Sequence, residues 1–274
     1  MTCRRQSILA VVGVISLLMC EAPPALAQTA PSLGTAQSYA VLAGSTVTNT
    51  GASVIGGDLG LSPGTSVTGF PPGVVTGTIH AADAAALSAK NSLVTAYDSA
   101  AGQSCTQDLT GQDLGGKVLT PGVYCYSTSA QLTGMLTLNG QGNAAAVWIF
   151  RAGSTLTTAS GSSVVMTNSG SQCNVFWQVG TSATLGSATS FAGNIMALSS
   201  ITMTTGANIV GRALARNAAT TLDTNNITPA TCASAAPAPA PAPVPTLPQA
   251  FVVVLALGLA GVGYRQLRRR NSTF

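Results

Sequence analysis

Between Gln28 and Cys232 the chain offers little material for covalent chemistry: one histidine, His80, six aspartates and no glutamate. No two of those aspartates stand closer in sequence than Asp108 and Asp113. Polysaccharide cleavage needs clustered carboxylates, and Asp58 and Asp223 stand isolated. The many Ser and Thr include no GxSxG nucleophile turn. Gly56-Gly57-Asp58 carries one fragment of a calcium turn without the repeats that build such a site. His80 precedes an Ala-rich stretch, where packing or capping is its expected role. The expectation is therefore no enzyme, no cofactor and no metal. What recurs instead is threonine around an apolar centre: Thr155-Leu156-Thr157, Thr184-Leu185, Thr202-Met203-Thr204 and Thr221-Leu222. The last three centres are 18 and 19 residues apart. Alternation in a strand points Leu or Met inward and Thr outward. Stacked at about 4.8 Å, such strands carry methyls and hydroxyls in a regular array, and the stiff χ1 of Thr holds that array in one orientation. A flat, uncharged surface of this kind orders water into an ice-like layer. Thr also simply favours strands, and both readings stand at this point.

The elements that must position those residues repeat as well. Gly206-Ala207-Asn208-Ile209-Val210-Gly211 lies over Gly51-Ala52-Ser53-Val54-Ile55-Gly56, and Phe191-Ala192-Gly193 matches Ile209-Val210-Gly211. Each unit holds short β-favouring runs broken by Gly, Ser or Asn. A unit so small cannot bury its own apolar side, so the repeat predicts a stack, a β-solenoid. One segment breaks the texture: His80 to Ala101 is Ala-rich without Gly or Pro, and it predicts a helix over about 80–101 with an apolar stripe at Leu93, Ala96, Tyr97 and Ala100. Val147-Trp148-Ile149-Phe150 and Val175-Phe176-Trp177 are apolar at consecutive positions, as in strands buried on both faces. The helix is expected to lie over that apolar surface and cover Trp148, Phe150 and Trp177, because exposed aromatics would aggregate. That leaves the Thr side open.

Only 7% of residues are charged, and from Gln28 to Thr231 five cations meet six aspartates, a net −1. The folded part lacks the basic footprint a nucleic-acid partner requires. Arg4-Arg5, the apolar run to Met19 and Ala25-Leu26-Ala27 predict a secretory signal over 1–27; Cys20 also admits a lipoprotein signal. Export leaves Cys105, Cys125, Cys173 and Cys232, an even number in an oxidising compartment. Three pairings are possible. Cys105 with Cys125 is favoured by the short, turn-rich segment between them, leaving Cys173 for Cys232. The domain is expected to span 28–232, followed by an Ala/Pro linker over 233–245. Residues 244–274 then hold Val244-Pro245-Thr246-Leu247, an apolar run and a basic tail. This order resembles an IPTL-type C-terminal sorting signal, the alternative being a plain membrane anchor.

The run from Tyr39-Ala40-Val41-Leu42-Ala43-Gly44 through GDLGLSPG, VTGFPPG, GTIHAADAAA, LTPGVYCYSTSAQLTG, CNVFWQVG and FAGNIMA to Val210-Gly211-Arg212-Ala213-Leu214-Ala215 resembles the microbial ice-binding protein family over about residues 33–228. The resemblance implies a mainly β fold: a right-handed discontinuous β-solenoid with one long α-helix packed along one face. It implies a non-sequential coil order, with the first coils between later ones and residues 51–56 beside 206–211. The family's T-A/G-x-T/N pattern is met by Thr205-Gly206-Ala207-Asn208 and, with Ser for Thr, by Thr50-Gly51-Ala52-Ser53 and Ser187-Ala188-Thr189-Ser190. The expected ice contacts are thus Thr155, Thr157, Thr184, Thr202, Thr204 and Thr221, with Thr205, Asn208, Thr50, Ser53, Ser187 and Ser190 at the corner. The expected partner is the ice crystal surface, met by a monomer that is exported or held at the cell surface and engages the membrane through its C-terminal segment at least transiently. The competing reading is a surface adhesin or structural module that binds glycan or protein.

Overall fold

The computed structural model describes residues 28–231. The predicted signal over 1–27, Cys232, the linker and the sorting segment lie outside the described residues. The strands stack in parallel, coil upon coil, and enclose one apolar interior. Three flat faces result. The first is a seven-stranded sheet in the order Ala130–Leu132, Leu156–Thr158, Ala183–Leu185, Ile201–Met203, Thr220–Asp223, Thr46–Thr50, Ser66–Thr68. The other two belong to one fifteen-stranded sheet, folded at a corner by the long strands Ser190–Ala197 and Asn208–Ala215. Both strands turn that corner on a glycine, Gly193 and Gly211, with φ of +105° and +147°. A Cβ on Gly211 would lie 1.9 Å from the Gly193 carbonyl oxygen, so the stacked corner admits no side chain there.

The coil order corrects one expectation. The chain does leave the stack after its first coils, form the helix and return. The first coils, however, sit beyond the last one and not between later ones: Thr46–Thr50 pairs with Thr220–Asp223, and Val54–Ile55 with Asn226–Thr228. Residues 54–55 are therefore one coil removed from 208–209, with 226–227 between them. The beginning and end of the domain meet inside a continuous sheet.

The apolar runs 147–150 and 175–177 are buried on both faces, as their patterning predicts. Their alternation assigns the aromatics differently from the expectation. Trp148, Phe150 and Trp177 point into the solenoid, where Phe150 stacks on Trp177 at 3.9 Å between ring centroids and each indole N–H reaches a backbone carbonyl. The helix covers the alternate set, Val147, Ile149, Phe176, Met196 and Leu214. The helix itself runs Ala84–Ala101, shorter at its start than predicted, because His80 belongs to the strand Ile79–Ala81. Asp83 is its N-cap: one carboxylate oxygen accepts the Ala86 N–H at 2.7 Å, the other meets His80 Nδ1 at 2.7 Å, and the two contacts hold the carboxyl below its usual range. His80 supports the cap without being it.

The Cys105–Cys125 disulfide is formed, with 5.8 Å between Cα atoms, and it ties the loop after the helix to the strand Gly122–Tyr126. Cys173 is also disulfide-bonded; Cys232, its expected partner, is outside the described residues. Lys90 anchors the middle of the helix. Its ammonium is buried and donates to the carbonyls of Ala215 and Arg216. Burial, with a smaller contribution from the Arg216 charge, pulls its pKa down from 10.5 to about 8. Because the folded value lies below the unfolded one, the folded protein sheds this proton first as pH rises, and the unfolded chain binds the excess. Stability should therefore rise between about pH 8 and 10.5. Urea midpoints measured across that window for wild type and Lys90→Met check this, and the slope should be absent from the variant.

Candidate functional site

The seven-stranded sheet brings the predicted threonines into one row. Pairing of Thr157 with Thr184, Thr184 with Thr202 and Thr202 with Thr221 makes four consecutive rungs. The register then continues through Thr48 to Thr68. Six threonines thus stand side by side at about 4.8 Å, with Gln131 and then Asp113 continuing the row at the other side. Thr48 and Thr68 escaped the sequence reading. Their Val/Thr alternation was visible, but not that the first coils extend the last. The inward partners along the same strands, such as Leu156, Leu185, Met203, Leu222 and Val47, are fully buried and fix the outward direction of each Thr. The hydroxyls of Thr157, Thr184 and Thr202 have no protein hydrogen-bond partner among the described residues.

A parallel row of small hydroxyls runs beside it. Thr155 donates to Ser129 at 2.8 Å, Ser182 and Ser200 share a bond of 2.9 Å, and Thr46 pairs in register with Ser66. The third row, at the turns, is less open. Thr204 turns its hydroxyl to the wall, donating to the Leu185 carbonyl at 2.8 Å, and lies 3.3 Å from Ser187 Oγ. Thr205 donates to Asp223 Oδ2 at 2.5 Å, and Thr224 to Asp223 Oδ1 at 3.1 Å. Asp223 occupies the same row as exposed Thr50, a charged position that sequence reasoning left isolated.

The corner residues divide. Asn208 and Ser190 are exposed and paired, but they begin the neighbouring face instead of ending this one. Ser53 is a correction: it is fully buried, and its hydroxyl accepts the Asn225 N–H at 2.9 Å. The tetrapeptide Thr50-Gly51-Ala52-Ser53 sits one residue out of step with Thr205-Gly206-Ala207-Asn208, since Asn226 pairs with both Asn208 and Val54. Ser53 thereby joins a column of polar groups inside the corner. Asn225 accepts from the Asp223 N–H and donates to the carbonyls of Thr204 and Ala207, at 2.7 to 2.9 Å. Thr189 and Thr158 share a bond of 2.9 Å, and Ser162 donates to the Leu132 carbonyl at 3.0 Å. These buried groups satisfy turn carbonyls that would otherwise face an apolar interior. They hold successive turns at one height, which keeps the outer surface flat.

A surface so built holds almost no charge, presents free hydroxyls and methyls at fixed intervals, and has no depth in which to enclose a small molecule. Removing the brace should disturb it measurably. Asn225→Leu keeps the branched outline but strands two turn carbonyls and an N–H, so unfolding free energy should fall by about 2–4 kcal/mol, read as a lower urea midpoint.

Comparison with known proteins agrees with this fold. The Ice-binding-like family model matches residues 41–228. An ice-binding protein of Nostoc sp. (strain HG1) is 54% identical over 228 residues, covering 83% of either chain. One from Flavobacterium frigoris (strain PS1) is 34% identical over 72% of this chain and 75% of its own. Among solved structures, an ice-binding protein from an Antarctic biological consortium superposes with a TM-score of 0.73 at 45% identity, covering 74% of this chain and 93% of the other.

Proposed function

The chain belongs to the ice-binding-like family, and from that premise we propose that it adsorbs to ice through the Thr face and so inhibits ice growth and recrystallisation. The observation that carries the reading is the six-rung row Thr157, Thr184, Thr202, Thr221, Thr48 and Thr68. Its threonine methyls restrict the first water layer, and the free hydroxyls anchor it. No single contact is strong. Adsorption depends on many of them being met at once by one lattice, which is why flatness and register matter more than any one residue. The Ser129, Thr155, Ser182 and Ser200 hydroxyls widen the array, and Thr204, Thr205 and Thr50 form its edge with the corner.

The relatives are named for binding ice, and adsorption of this kind needs no catalytic group or cofactor. An ice ligand lies outside the cell, which agrees with the secretory signal read over 1–27. Cell-surface retention, with transient membrane contact through 244–274, follows from the order of motif, apolar run and basic tail. The protein acts as a monomer in this reading, because ice supplies the second surface.

Thr202 lies mid-row, so Thr202→Tyr raises a bulky ring from the centre of the array. Stability should change by no more than about 0.5 kcal/mol, as for an outward surface position. Thermal hysteresis and ice-recrystallisation inhibition should lose most of their wild-type value. Full activity in a normally folded Thr202→Tyr protein would remove the Thr face from the reading. Wild-type protein without any effect on ice at high concentration would remove ice binding itself.

A further inference from the structure

Beside the Thr face, across the corner at residues 204–208, lies a second open face that the ice reading above does not use. Its strands run in register from Val118–Leu119 through Met135–Asn139, Ser163–Thr167, Ser190–Ala197, Asn208–Ala215, Asn226–Thr228 and Val54–Ile55 to Val74–Val75. Eight large apolar side chains are exposed among the described residues, and six of them stand here: Val54, Val74, Val118, Met135, Val165 and Val210, each 38–63% exposed. Up to the corner at Gly193 and Gly211, no Lys, Arg, Asp or Glu occupies an outward position on these strands, Arg212 lying past it. The rest of the outward set is uncharged, hydroxyls and amides for the most part, for example Thr137 beside Val165, Thr228 beside Val210 and Asn226 beside Asn208. Six apolar side chains gathered on one face call for an occupant.

The dimensions argue against a second copy of the chain. Eight strands at about 4.8 Å give a strip roughly 34 Å long, and two outward positions per strand give it a width on the order of 13 Å. That is about half of the 800 Å² each partner of a stable complex contributes. The strip also lacks the Trp, Tyr and Arg that anchor protein interfaces. Its chemistry is that of the Thr face with some hydroxyls replaced by methyls, since Val is the shape of Thr and shares its stiff χ1. It has the same rung spacing, and it is continuous with that face through shared turns. The Asn208–Asn226 rungs lock the junction: Asn208 Oδ1 accepts the Asn226 N–H at 2.8 Å, and Asn208 Nδ2 donates to the Gly206 carbonyl at 3.0 Å.

We infer that this valine-bearing face is a second ice-contact surface, so that the solenoid meets ice with two flat faces joined at one corner. The inference rests on the ice reading of the family and adds a site to it. Because the two faces point in different directions, they meet different crystal planes or opposite sides of a growth step, and blocking one leaves the other.

The test uses the purified protein fused to a fluorescent protein, adsorbed to a single-crystal ice hemisphere, with Thr202→Tyr, Val210→Tyr and the double variant. Val165→Lys serves as a second, independently placed block, and Val210→Thr as a conservative control that keeps the methyl. Matching unfolding midpoints establish that each variant folds. The expected result is that Thr202→Tyr keeps weak residual adsorption, that Val210→Tyr and Val165→Lys each lose part of the wild-type plane pattern, that Val210→Thr retains it, and that the double variant loses all adsorption. Abolition of all adsorption by Thr202→Tyr alone would overturn the second face while leaving the Thr face intact. So would an unchanged plane pattern in Val210→Tyr and Val165→Lys. Sedimentation of wild type as a dimer that Val210→Tyr dissolves would assign this face to a second copy and overturn the inference too. Absence of adsorption by wild type would instead defeat the underlying ice reading.

Discussion

The parallel ladder between coils governs the rest of the structure, because a slip of one residue would send every side chain of a strand to the opposite face. No coil here can satisfy its own backbone or bury its own apolar side; both come from the coils above and below. The inward residues decide the register. Leu185 over Met203, or Trp148 over Val175 and Phe150 over Trp177, fit only one alignment. Once that alignment is set, Thr184 must lie over Thr202, and Thr202 over Thr221. The open array is therefore a by-product of core packing as much as a feature of its own. A stack has two free ends, but the junction of Thr46–Thr50 with Thr220–Asp223 removes one potential break from the middle. It lengthens the threonine row by two rungs, Thr48 and Thr68, that no sequential solenoid would have placed there.

Much of this was legible in the sequence, and the misses share a cause. The solenoid, its outward threonines, the helix with its stripe at Leu93, Ala96, Tyr97 and Ala100, and the Cys105–Cys125 bridge all rest on local periodicity or short separation. The missed features are non-local. Ser53 resembled an exposed motif residue because its tetrapeptide matches Thr205-Gly206-Ala207-Asn208, yet Val54 is the residue that lies, through Asn226, in register with Asn208, so Ser53 takes the place of buried Ala207. Trp148, Phe150 and Trp177 were assigned to the wrong side because a run apolar at every position gives no parity. Only the stacking of Tyr124, Phe150, Trp177 and Phe191 through successive coils shows which parity is inner. The position of the first coils is likewise invisible to period counting, since the intervening helix erases the phase.

Charge is distributed in the way an ice-facing surface requires. A charged group orients water around itself in a radial shell, which conflicts with the geometry of a lattice. Lys90, Arg151, Arg212 and Arg216 are all committed beneath or beside the helix, each donating to backbone carbonyls or to side chains there: Arg212 to Gln37 and Asn194, Arg216 to Asp98, Arg151 to Gln103. Asp83 and Asp98 belong to the helix and its cap. The Thr face carries Asp113 at its end, beside Gln131, where the carboxylate accepts from Gly115 and Thr133, and Asp223 at its edge, whose position explains how that charge is tolerated. One carboxylate oxygen takes the Thr205 hydroxyl and the other the Thr224 hydroxyl, while its own N–H is held by Asn225. The carboxylate thus spends its acceptors inside the turn instead of on the water layer. The same bonds aim the Thr205 and Thr224 methyls and fix the edge at which the two open faces meet. The polar web inside the corner and the Asp223 carboxylate outside it act together to keep that edge sharp and the surfaces on either side flat.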